Sequence, residues 1–303
     1  MIIVRVSGGL GNQLFQYAFG ISFSRKNDCN VLFDINNYKH SRLSSDYNSA
    51  KPHSLYCLKL YKTKVELATD EQIRKIRSMD SKLVEQPESI KDLYRKSDTG
   101  FSHYIEVPKI VGSGVYEPGL FDFNGDFYFS GYFQSEKYFS DYKREFLNDF
   151  TLDIKLDAAN MKMLKQIKST NSVSLHIRRG DYLKSDIWLL PQSYYADAIK
   201  HILSREKKLH FYIFSNDIDW VMKNIKIDAP YSVVDINPPN KGYFDLELMR
   251  HCKHNIIANS SFSWWGAWLN KNPDKIVLAP SPWNKMTDRF KDIISDSWIK
   301  IKH

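Results

Sequence analysis

Ser172-Val173-Ser174-Leu175-His176-Ile177-Arg178-Arg179-Gly180-Asp181 runs from an apolar strand-like segment into a histidine, two adjacent arginines and a glycine. Such residues at a strand end are poor core material and suit the holding of a polyanion. In open α/β sheets, ligands bind outside the carboxyl ends of the strands. The arginine fork matches phosphate oxygens. If the strand continues to Arg178, alternation puts His176 and Arg178 on one face and Ile177 and Arg179 on the other. One arginine can then reach a diphosphate while the other pairs with an acid and organises the loop. Asp181 is the natural local acid, and a plain surface ion pair is the alternative reading.

Outward from that strand the chain alternates. A helix near Asp157–Ile167 precedes it and one near Ser193–Arg205 follows. Strand His210–Phe214 leads to helix Asp217–Ile225, and strand Tyr231–Val234 to helix Tyr243–His251. Strand Asn255–Ala258 leads to helix Phe262–Asn270, with Lys275–Leu278 as the last strand. Strands alternating with helices of about ten to fifteen residues argue βαβ units and a parallel sheet. A second α/β pattern opens the chain: strand Ile2–Val6, a glycine turn at Ser7–Gly11, a helix over Asn12–Lys26 and a strand over Asn30–Asp34. Leu14, Phe15, Ala18, Phe19, Ser22 and Phe23 recur at three and four, giving that helix a buried face. Residues 36–125 read as mixed helices and long loops, Asp126–Tyr132 as a strand and Gln134–Phe150 as an exposed helix. The expectation is two Rossmann-like α/β domains, 1–152 and 153–303, facing each other across a ligand cleft.

Composition sets outer limits. The chain has 303 residues with ordinary globular content, 43% hydrophobic and 26% charged, so a core needs no staple. Cys29, Cys57 and Cys252 are odd in number and form no CxxC, which favours a reducing compartment. Met1–Val6 is too short for a leader, and no apolar run reaches the ~18 residues of a membrane span. The expected location is the cytoplasm. The net charge of +8 suits acidic ligands and allows peripheral contact with the anionic inner membrane face. No basic run of the nucleic-acid kind is present, so nucleic acid is not an expected partner.

Three further constellations carry chemistry. In Gly8-Gly9-Leu10-Gly11-Asn12-Gln13, Gly9 and Gly11 fit the start of a dinucleotide fingerprint, with Asp34 at the next strand end. Leu14 occupies the place of the third glycine, and a tight strand-to-helix turn with Asn12 as N-cap explains the same residues. Asp217-Ile218-Asp219 matches the D-x-D pattern of metal-dependent sugar-nucleotide enzymes. Ser215, Asn216 and Asp217 equally suit the capped start of a helix. Asn259-Ser260-Ser261 before Phe262 puts hydroxyls at a helix N-terminus, either as a phosphate cradle or as N-caps. Trp264, Trp265 and Trp268 read as core.

Gly8–Tyr17, Gly131–Phe139, His176–Asp181, Phe214–Asp217 and Asn259–Trp265 together resemble the α-1,2-fucosyltransferases of glycosyltransferase family 11. These five motifs appear in family order across most of the chain, and the set is far more specific than any one of them. The resemblance implies a GT-B architecture, GDP-fucose as donor, a galactose-containing glycan (free or lipid-linked) as acceptor, and inverting transfer to the galactose 2-hydroxyl. No cofactor and no metal are expected. By the same resemblance Arg178 meets the β-phosphate, and His176, Arg179, Asp181, Asn216 and Asp217 shape the donor pocket. Ser260 and Ser261 are expected to touch phosphate, His254 or its neighbours to meet guanine, and Asn259 to line the donor site. Gly9, Gly11, Asn12 and Gln13 face the acceptor side, with Asn12 also near the fucose.

Inversion requires a base for the acceptor hydroxyl. Asp186 is the candidate, with Asp34 and Glu117 behind it. The competing readings are a nicotinamide-dependent oxidoreductase built on Gly9, Gly11 and Asp34, and a non-catalytic carbohydrate-binding protein suggested by 18 tyrosines and seven tryptophans.

Overall fold

The computed structural model describes residues 1–39, 55–79, 103–106, 113–122, 125–184 and 188–303. The chain divides into two compact units, Met1–Thr151 with Asp288–Ile293, and Leu152–Thr287 with Ile294–His303. A single boundary does not describe this division, because a late segment returns to the first unit.

In the first unit β1 (Ile2–Arg5), β2 (Val31–Asp34), β3 (His103–Glu106) and β4 (Phe127–Ser130) form a parallel sheet in the order β2-β1-β4-β3. The helix Leu10–Asn27 follows β1 and buries Leu14, Phe15, Ala18, Phe19 and Phe23 as its periodicity predicts. It also buries Gln13, Gln16 and Tyr17, so burial extends around most of its circumference.

The expected exposed helix over Gln134–Phe150 is instead two 3-10 turns, Glu136–Tyr138 and Ser140–Tyr142, and a short helix Lys143–Asp149. Tyr138, Phe139, Phe146 and Phe150 are all within 2% of full burial. Phe139, Phe146 and Phe150 share one helical stripe, but Tyr138 lies about 100° away from it, and the chain bends to bury all four. The returning segment is bonded through backbone: Gly114 N donates to Arg289 O (2.9 Å), and Asp292 N to Gly114 O (2.9 Å). Asp292 also accepts from Lys137 Nζ at 2.7 Å.

In the second unit β5 (Asn171–Ile177), β6 (Leu209–Ser215), β7 (Tyr231–Val233), β8 (His254–Ile256), β9 (Val277–Ser281) and β10 (Ile299–Lys302) form one parallel sheet. Their order is β10-β9-β8-β5-β6-β7. Strands β5, β6 and β7 step outward one way and β8, β9 and β10 the other. This is the doubly wound arrangement, with its switch point between β5 and β8.

Val173, Leu175 and Ile177 pack with Tyr194, Ala198 and Ile202 of the helix Gln192–Arg205. Tyr212 and Phe214 pack with Leu248 and Met249 of the helix Gly242–Arg250 in a separate cluster. Trp264 and Trp265 are fully buried and Trp268 nearly so, which fits their reading as core. Strand β10 was not legible, since Ile299-Lys300-Ile301-Lys302 is short and pairs only at an edge. The α/β class stands in both units.

Candidate functional site

Strand β5 ends at Ile177, and the four residues after it make a tight corner. Gly180 takes φ +34°, and a Cβ there would lie 2.1 Å from Asn216 Nδ2. Only glycine lets the loop pass so close to the end of β6. Asn216 Oδ1 accepts from Arg179 N at 2.9 Å, which ties the two strand ends together.

The two arginines separate. Arg179 turns inward: its Nε donates to Asp217 Oδ2 at 3.0 Å, and its guanidinium carbon lies 3.8 Å from the centroid of Trp220. Asp217 also caps the helix Ile218–Asn224, accepting from Trp220 N at 3.2 Å through Oδ1. Both carboxylate oxygens are therefore engaged within the protein, as a cap and an ion pair. Asp181 was the expected partner of the loop-organising arginine, but Asp217 takes that place. The stacking platform Trp220 had no sequence signal beyond its position three residues into a capped helix. Arg178 instead pairs with the half-exposed Asp181 at 2.7 Å, and its guanidinium carbon lies 5.5 Å from the Tyr182 ring centroid. A half-exposed partner releases an arginine to a ligand far more readily than a partly buried one that also caps a helix.

His176 sits beneath this corner, 6% exposed, with Nδ1 buried and lacking a hydrogen-bond partner. Burial, then the nearby Arg178 charge, push its pKa down to about 3, so the ring is neutral near pH 7. Its ring lies 5.7 Å from that of Phe262, in the first turn of the helix Ser261–Trp268. Ser260 caps that helix, its Oγ accepting from Phe262 N at 3.4 Å. Tyr182 OH donates to Asn259 O at 3.3 Å, linking the loop after β5 to the loop after β8. Arg178, His176, Asn259, Ser260 and Ser261 thus gather where the strand order reverses, the expected place for a ligand in an open α/β sheet.

Asp245, which the sequence reading missed, lies in the first turn of the helix that follows β7. Asn237 Nδ2 donates to its Oδ1 at 2.7 Å. Burial pushes its carboxyl up to about 7. His254 does not join this set. It opens β8 at the amino-terminal end, opposite the carboxyl ends that gather the other residues, and its Nδ1 accepts from Ile276 N at 3.0 Å. Asp186 lies outside the described residues.

In the first unit the glycine turn is a structural clasp. Gly8 takes φ +79°, and a Cβ there would meet Asn12 Nδ2 at 2.6 Å. Gly9 is the extended N-cap residue and Gly11 is buried in the first helical turn. Gln13 is fully buried: Nε2 donates to Gly8 O (3.0 Å) and Leu55 O (2.7 Å), and Oε1 accepts from Cys57 N (2.8 Å). Asn12 Oδ1 accepts from Gln134 Nε2 at 2.8 Å. Asn12 is half-buried, whereas Gln13 has its hydrogen-bonding atoms occupied by backbone. Asp34 likewise spends both oxygens internally, on Tyr128 OH (2.6 Å) and Asn36 N (2.8 Å), which argues against it as a base or a ribose ligand.

The sequence profile of glycosyl transferase family 11 matches residues 1–302. The chain belongs to that family. Among its relatives is an alpha-1,2-colitosyltransferase of Escherichia coli, 31% identical over 100% of this chain and 99% of that protein. Galactoside alpha-(1,2)-fucosyltransferase 1 of Leontopithecus chrysomelas is 28% identical over 50% of this chain and 44% of its own length. Among solved structures, NodZ alpha-1,6-fucosyltransferase soaked with GDP-fucose superposes with a TM-score of 0.48 at 12% identity. That superposition covers 88% of this chain and 92% of NodZ. Family 11 membership makes the chain a glycosyltransferase and displaces the oxidoreductase reading of Gly9, Gly11 and Asp34. Among the described residues, no helix of this family 11 chain is long and apolar enough to cross a membrane.

Proposed function

We propose that the chain transfers L-fucose from GDP-β-L-fucose to the 2-hydroxyl of a terminal galactoside, with inversion at the anomeric carbon. The observation that carries this reading is Arg178 at the switch point, held by a half-exposed acid beside the Ser260–Ser261 helix start. In the reaction the acceptor oxygen bonds to the fucose C1 as the bond from C1 to the β-phosphate oxygen breaks. The hydroxyl proton passes to a base, and GDP leaves. Charge grows on the departing diphosphate, where a preorganised guanidinium stabilises the transition state more than the ground state. The Ser260 and Ser261 hydroxyls and the helix amides add neutral donors on the same side. Asp217 is already engaged with Arg179 and Trp220 N, which supports a reaction without a metal at the D-x-D sequence. Asp186 is the proposed base, and Asn12 the proposed contact from the first unit.

Transfer can be measured by incubating the protein with GDP-fucose and a panel of galactosides, followed by NMR assignment of the product linkage. The expected product is an α-1,2-fucosylated galactoside, formed equally well with EDTA. A parallel incubation with the GDP ester of 3-deoxy-L-fucose (colitose) tests the donor, since a full-length relative is a colitosyltransferase. Faster turnover of that ester would replace fucose in this reading. Absence of transfer from both donors would remove the reading.

A further inference from the structure

A pocket of about 440 Å³ opens in the second unit, lined by Leu189, Leu190, Pro191, Asn259, Pro282, Asn284, Lys285 and His303. Asn259 follows β8, Pro282 and Asn284 follow β9, and His303 follows β10, so the pocket lies at the carboxyl ends of the strands. It shares Asn259 with the loop that carries Ser260 and Ser261, yet its other walls lie on the far side from β6 and β7.

Two of its lining residues hold a complementary pair of unsatisfied groups. Asn259 is 2% exposed, and its Nδ2 donates to Trp188 O at 2.7 Å, which fixes the amide and leaves Oδ1 buried with no partner. Asn284 is 3% exposed, and its Oδ1 accepts from Met286 N at 2.9 Å, which leaves Nδ2 buried with no partner. A buried polar atom without a hydrogen bond costs roughly 1–3 kcal/mol, so two on residues that line one pocket mark a place for a ligand that can both donate and accept. Hydroxyl groups do both. The apolar walls from Leu189, Leu190, Pro191 and Pro282 suit a C–H face, and a volume of this order lies within the ~300–1,000 Å³ range of small-ligand pockets. The buried polar groups are neutral amides and the one lysine is exposed at the rim, which favours a neutral ligand over a phosphate.

We infer that this pocket is a sugar subsite, taking one neutral pyranose through hydroxyls that meet Asn259 Oδ1 and Asn284 Nδ2. Assigning the sugar to the donor or the acceptor rests on the transferase reading; the pocket chemistry does not. The second unit then recognises a sugar as well as a diphosphate.

The test uses methyl β-D-galactoside and methyl α-L-fucoside, followed by saturation-transfer NMR with and without saturating GDP. The proteins compared are the whole chain and Asn284→Leu. That substitution keeps a side chain of similar size and removes the free donor. One of the two glycosides binds the native chain and binds Asn284→Leu about 10-fold or more weakly, as expected when a ligand hydroxyl loses its donor. GDP affinity stays unchanged, showing that the variant folds, while its melting temperature drops because Met286 N loses its acceptor. Galactoside binding assigns the pocket to the acceptor, and fucoside binding to the donor sugar. No binding of either glycoside, or equal binding to both proteins, overturns the inference. Failure of the turnover assay with these binding results intact would remove the transferase reading alone.

Discussion

The Arg179 guanidinium carbon stands 3.8 Å from the Trp220 ring centroid, while its neighbour Arg178 turns the other way to Asp181. Two identical side chains in sequence therefore have different physical duties. Arg179 joins the ends of β5 and β6 into a fixed corner, and Arg178 is presented by that corner.

Substitutions at the two positions should separate these duties. Arg178→Ala should lower transfer by about 10²-fold or more, the usual loss on removing a preorganised charge-stabilising donor, and weaken GDP binding. Its melting temperature should stay near native. Arg179→Ala leaves Asp217 without its cation and uncovers Trp220, and should destabilise by about 2–4 kcal/mol. Denaturant unfolding of both variants decides this. A destabilised Arg178→Ala with a native-like Arg179→Ala would reverse the assignment.

Gly180 should tolerate no side chain. A Cβ would meet Asn216 Nδ2 at 2.1 Å, and φ +34° disfavours any other residue. Gly180→Ala should cost about 1–3 kcal/mol and displace Asn216 from Arg179 N. GDP affinity should fall with it, since the displaced corner carries Arg178. Calorimetric titration with GDP on the folded fraction reads the loss.

His176 gives the stability a pH dependence of definite sign. Its folded pKa of about 3 lies below the ordinary histidine value of 6.5. Between those values the unfolded chain binds the extra proton and the native chain does not, so stability is present above pH 6.5 and falls as pH drops toward 3. His176→Phe should flatten that part of the unfolding profile. An unchanged acid limb in urea melts at stepped pH would place the titration elsewhere.

Gln13 should behave as a structural residue. Its three hydrogen bonds, all buried or partly buried, join Gly8, Leu55 and Cys57. Gln13→Leu should destabilise by about 2–4 kcal/mol through the stranded backbone groups. In the folded protein the KM for a galactoside should change little. A large KM effect with native stability would restore Gln13 to the acceptor side.

The β5 region and the helix after Gly9 were readable because local patterns governed them. Apolar residues at strand and helix periods fixed which faces would be buried. Gln134–Phe150 reads as one exposed helix, yet the core of the first unit buries Tyr138 as well as the stripe of Phe139, Phe146 and Phe150, which one straight helix would not do. Arg178 could be named from its neighbours in sequence, but the division of labour with Arg179 could not. Asp217 and Trp220 lie about forty residues on and reach the loop only through β5–β6 pairing. Asp245 was invisible for a related reason: burial is the main cause that raises its carboxyl, and burial is a property of the packed sheet. His254, expected toward guanine by the family resemblance, instead opens the short β8 at its amino-terminal end.

The strand-order reversal between β5 and β8 also bears on how the molecule is made. Lys253 N donates to Ser172 Oγ and Asn255 Nδ2 to Ser174 Oγ, each across 81 residues of chain. A nascent chain that has emerged only through β7 holds the arginine corner but lacks its opposite wall. Loop closure over such separations is slow compared with local pairing. The anion-holding corner is therefore complete only after β8 inserts, and recovery of GDP binding during refolding should lag the recovery of helical signal.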